Sequence, residues 1–135
     1  MSIADLTGVR RETRAFEQTG HLEREVREFV EQVLGGWELS QLARGVLRAV
    51  QELVAWEMAN GPSPSFTVEL TWDEPLVRVE VRDRGTVIPN PNVVRSDAEL
   101  AVRLLTPPAV EWGAELDVRG RCVWAVVRIP TATHY

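Results

Sequence analysis

The chain has 135 residues, 44% hydrophobic and 26% charged, with a formal net charge of −5; this describes one globular domain with a single core. The negative balance disfavours non-specific contact with nucleic acid or an anionic membrane, because the summed field repels phosphate. All 15 basic residues are arginine, so no lysine is present for Schiff-base chemistry, and the lone Cys122 excludes a disulfide framework and a cysteine metal cluster.

No apolar run has the length of a signal peptide or a membrane span, so a cytoplasmic location is expected. Residues 1–10 and 131–135 read as tails around a domain at 11–130. Arg11 to Gln18 is a short strand centred on Ala15 and Phe16. From His21 to Leu34, Leu22, Val26, Phe29, Val30, Val33 and Leu34 share one helix face, and Gly35-Gly36 ends the helix. A second helix starts near Ser40 and runs to Asn60 with Leu42, Val46, Val50, Leu53 and Val54 as its stripe; Gly61-Pro62 stops it.

Phe66, Val68, Leu70 and Trp72 alternate with polar residues, as do Val77, Val79 and Val81 after the turn Asp73-Glu74-Pro75, which makes a hairpin. Arg84 to Arg95 is a loop, and Asp97 to Leu105 a short third helix broken by Pro107-Pro108. Val110 to Val118 and Arg121 to Ile129 form a second hairpin about Arg119-Gly120. The expected architecture is a two-layer α+β sandwich: a mixed, mostly antiparallel sheet covered on one face by three helices.

Four stretches of this order resemble the GHKL (histidine kinase, gyrase and heat-shock chaperone-like) ATPase superfamily, nearest its anti-sigma-factor serine kinases. They are Glu23 to Leu34, Glu52-Leu53-Val54 with Gly61 at the helix end, Val79 to Gly85 as a strand closing on Asp-x-Gly, and Gly120-Arg121-Cys122-Val123-Trp124. The resemblance implies that Glu52 holds the family's general-base position. It also implies that Asp83 and Gly85 contact adenine, the carboxylate through the exocyclic amine; a plain turn explains both residues equally well.

Other family positions are changed. The asparagine oxygen that would hold Mg²⁺ is replaced by Trp56, and the histidine four residues on by Asn60. The Gly-x-Gly-Leu segment that would cradle phosphates matches Asp97-Ala98-Glu99-Leu100, which puts two carboxylates where a triphosphate would lie. Each close charge pair there costs about 1–4 kcal/mol. Asp97 and Glu99 also suit a helix start on their own account.

The resemblance therefore implies a regulatory protein-interaction module with a degenerate nucleotide site, no cofactor, no metal and no catalysis. Its expected partner is a sigma factor or an anti-sigma antagonist, with a homodimer also compatible. Two alternatives stand beside this reading. One is an ATP-dependent serine/threonine kinase with a divergent Mg-ATP pocket, needing Asn60 or Asn92 as a substitute ligand; the other is a magnesium-independent adenine-nucleotide sensor using Asp83. His21 and His134 lack ligand spacing to any other His or Cys.

Overall fold

The computed structural model describes residues 8–60, 65–84 and 109–130. Strand β1 (Arg10–Glu17) leads into helix α1 (Leu22–Gly36). A single 3₁₀ turn (Ser40–Leu42) connects it to helix α2 (Ala43–Asn60). Strands β2 (Ser65–Asp73), β3 (Leu76–Asp83), β4 (Ala109–Asp117) and β5 (Gly120–Arg128) complete one five-stranded sheet of order β1-β2-β3-β5-β4.

Every pairing in the sheet is antiparallel, and two α-helices are present among the described residues, not three over a mixed sheet. The reason lies in the connection between β1 and β2. One helix between neighbouring strands returns the chain to begin a parallel strand. Two helices in succession add a further reversal, so β2 runs back along β1. The expected third helix at Asp97 to Leu105 and the loop before it lie outside the described residues.

Gly35 and Gly36 are the last two residues of α1, as the sequence implies. The reversal comes at Glu38, with φ 60°, where Glu38 N–H donates to Gly35 C=O at 3.1 Å and Leu39 N–H to Leu34 C=O at 2.7 Å. This paired closure satisfies carbonyls that would otherwise be orphaned at the helix end. Trp37, thus turned inward, is buried and lies 6.0 Å from the Trp72 ring.

Period-2 alternation gives the sheet two distinct faces. Phe66, Val68 and Leu70 of β2, Val77, Val79 and Val81 of β3, and Val123, Ala125 and Val127 of β5 join Val26, Val30, Leu34, Val46, Val50 and Leu53 in one core. Phe16 anchors the edge strand to it, stacked on Phe66 at 6.1 Å and edge-on to Phe29 at 5.8 Å. The opposite face has no helix among the described residues. It carries Arg78, Glu80 and Arg82 of β3 with Cys122 and Trp124 of β5. Among the described residues no helix is long and apolar enough to cross a membrane.

Candidate functional site

Three charged side chains occupy core-facing positions. Glu57 follows Leu53 by four residues and Val54 by three, so it continues the buried stripe of α2. Asp83 follows Val81 on β3, and Arg121 precedes Val123 on β5, opposite Asp83 in the register. The helix and two strands converge on one point at the end of the sheet. Residue exposures are 2% for Glu57, 3% for Asp83 and 9% for Arg121.

Arg121 Nε donates to Asp83 Oδ2 at 2.7 Å, while its Nη2 lies 3.8 Å from Glu57 Oε2. The Trp56 ring, half-buried, has the Arg121 guanidinium 5.7 Å from its centroid. A buried charge persists only when paired and hydrogen-bonded. Arg121 and Asp83 meet that condition as ions.

Glu57 meets it by staying neutral. Burial pushes its carboxyl up to about 8, reinforced by a hydrogen bond that the protonated Glu57 donates to Asp83 and by the Asp83 negative charge, against a smaller pull from Arg121. Its Oε2 has no hydrogen-bond partner among the described residues. Near neutrality the cluster thus holds a carboxylic acid, a carboxylate and a guanidinium.

Gly120 closes the site from the β4–β5 turn. Its φ is +117°, and a Cβ there would collide with the Asp83 carbonyl oxygen, so only glycine lets β5 start this close to the end of β3. The close backbone approach is what brings Arg121 onto the Asp83 carboxylate.

The sequence-derived positions separate into three groups. Asp83 and Trp56 are both brought to the Arg121 guanidinium. Glu52 is half-buried on α2, one turn before Trp56, and Asn60 is the last residue of that helix. Gly85, Asp97 and Glu99 lie outside the described residues. Glu57 and Arg121 were missed as site residues, although a charged residue on an apolar stripe is a readable signal.

The open face offers a second set of acids. Glu80, Glu115 and Cys122 bring three potential ligand atoms within 4.8 Å of one another. Arg78 already serves both carboxylates, from Nε to Glu80 at 2.8 Å and from Nη2 to Glu115 at 3.0 Å. Burial, helped by the Glu80 charge, pushes the Cys122 thiol up to about 12, away from the thiolate a metal requires. The Cys122 Sγ instead donates to the Val123 carbonyl at 3.5 Å.

The chain matches no family model, and no curated protein is significantly similar to it.

Proposed function

We propose that this protein is a non-catalytic regulatory module of GHKL ATPase ancestry, acting through contact with another protein. The supporting motif resemblance is the one carried by Glu52-Leu53-Val54, Val79 to Gly85 and Gly120 to Trp124. One observation carries the functional half of the reading. The Asp83 carboxylate, which the resemblance assigns to an adenine amine, is fully enclosed and already accepts a charge-assisted hydrogen bond from Arg121.

An N–H donor of the protein therefore stands where the N–H of a base would donate. Displacing it would expose two buried carboxyl groups to a ligand carrying further negative charge. The donor set also does not fit magnesium. Trp56 offers no oxygen at the asparagine position, and its neighbour Glu57 is protonated near neutrality, whereas Mg²⁺ takes ionised or carbonyl oxygens. The same engagement of Asp83 weighs against a nucleotide sensor.

The reading carries with it a cytoplasmic location and a regulator of sigma-factor type as partner. The test is a titration of the full chain with ATP, with and without Mg²⁺, following tryptophan fluorescence and phosphate transfer to candidate partner proteins. No magnesium-dependent binding and no transfer are expected. Micromolar Mg-ATP binding that Asp83→Asn abolishes would overturn the proposal.

A further inference from the structure

A second feature lies on the other side of the sheet, where β1 and β3 end and β2 begins. Alternation brings Ala15, Ser65 and Thr67 to the open face side by side, with Thr67 opposite both Ala15 and Arg82 in the register. These side chains are short, while Arg82, Arg84 and Arg119 around them are long. The result is a hollow of about 750 Å³ with a small-residue floor and guanidinium walls. That volume lies within the range of small-ligand sites.

The three arginines differ in how they are held. Arg82 is fixed: its side chain is 9% exposed, Nη1 donates to both Asp117 carboxylate oxygens at 2.8 and 2.9 Å, and Nη2 stands 3.5 Å from Glu80. Its Nε is sealed from solvent and has no acceptor among the described residues. The Arg119 side chain is 60% exposed, its Nη1 lying 4.0 Å from Glu69 Oε2. Arg84 is exposed and makes no ion pair among the described residues. Two acids, Glu17 and Asp83, are on the lining, and the Asp83 carboxylate is held by Arg121.

We infer that this hollow binds a phosphate group, as the free ion or as a small phosphomonoester. Guanidinium groups from three directions suit a tetrahedral oxyanion better than a planar carboxylate, and a pre-fixed guanidinium loses little freedom on binding. Glu17 on the lining works against an extended polyanion, which favours a small ligand. The Asp83 carboxylate takes no part, because it points to the helix layer and Arg121.

The experiment is a titration of the ¹⁵N-labelled full chain with inorganic phosphate at constant ionic strength, reading arginine Nε–Hε resonances. A saturable shift of Arg82 Nε–Hε at millimolar phosphate is expected. It should weaken at least tenfold in the Arg84→Gln/Arg119→Gln double variant, which alters only exposed side chains. A parallel arm with O-phosphoserine separates the sources: tighter binding than phosphate identifies a phosphomonoester, and equal binding the free ion.

A shift that sodium chloride reproduces, or one of equal size in the double variant, would overturn the inference. So would an unmoved Arg82 resonance. Magnesium-dependent ATP binding that survives in the double variant belongs to the Asp83 site, so the two readings fail separately.

Discussion

The two faces of the sheet both carry arginines and carboxylates, and they treat them in opposite ways. Beneath the helices, Glu57, Asp83 and Arg121 interrupt stripes of valine and leucine and are sealed from water. On the open face, Arg11 reaches Glu69 at 3.2 Å, Arg78 bridges Glu80 and Glu115, and Arg82 holds Asp117, a lattice whose outer members are wet. The Arg78 guanidinium also lies 4.4 Å above the Trp124 ring, and that ring covers Gly113, where a Cβ would come within 2.9 Å of it.

The number of partners and the wetness of the outer members make the difference. Under the helices the three charges are enclosed by valine and leucine. On the open face Glu69, Glu80 and Arg82 are just as buried, but each is shared between two neighbours, and the outer members Arg11, Arg78, Glu115 and Asp117 reach solvent. Even the unfavourable pair Glu69 and Glu80, directly opposite on β2 and β3, is accommodated there. Burial and the facing Glu80 hold Glu69 above the usual carboxylate range. Glu80 is kept below that range despite its own burial, by Arg78, a hydrogen bond from Glu69 and Arg82.

The contrast can be broken most directly at Arg121. Arg121→Ala removes the guanidinium from the buried Asp83 carboxylate and should cost about 3–5 kcal/mol in urea unfolding. Adding Asp83→Asn should recover a large part of that loss. A single-variant loss below 1 kcal/mol would mean that water reaches the cluster and the two faces are alike.

Next in size is a pH effect confined to the covered face. The Glu57 carboxyl titrates near 8 in the folded chain against an ordinary 4.5, so between those values the native state holds a proton the unfolded chain has released. Its stabilising contribution is therefore complete below about pH 4.5 and is lost as pH rises through 8. The total change amounts to a few kcal/mol, about 5 at most. Glu57→Gln should flatten the stability profile between pH 5 and 8, measured by chemical denaturation. An unchanged slope would remove Glu57 from the account.

Gly120→Ala sits on the seam between the faces. It combines a left-handed backbone with a collision at the Asp83 carbonyl, for an expected loss of about 1–3 kcal/mol in thermal unfolding. The smallest effect belongs to the open lattice. Removing Arg78 together with Glu115 in a double-mutant cycle should give a coupling of only about 0.2–1 kcal/mol, reduced by salt. A coupling of several kcal/mol would show this face to be covered.

Much of the fold is legible in the sequence because strands and helices differ in period. The alternation at Val77, Val79 and Val81 and the stripe at Leu22, Val26, Phe29 and Val30 locate β3 and α1 to within two residues at either end. The end of α1 falls at the expected glycines, whereas the reversal at Glu38 is set by the paired hydrogen bonds and is not legible. The strand directions in the sheet also escape a local pattern, since they depend on how many helices separate two neighbouring strands.

The site follows the same division. Asp83 and Trp56 stand out by type and position, and Glu57 and Arg121 are visible as charges on apolar stripes. Their association is not, because α2, β3 and β5 meet only when the chain has closed over the 63 residues between Glu57 and Arg121.

What the sequence determined alone was local: the period of each element, its inward face, and the charged residues left on that face. Which charges would meet, which would be sealed and which would remain in solvent were decided by the tertiary structure. Pairing and desolvation are properties of assembled neighbours, and no residue carries them by itself.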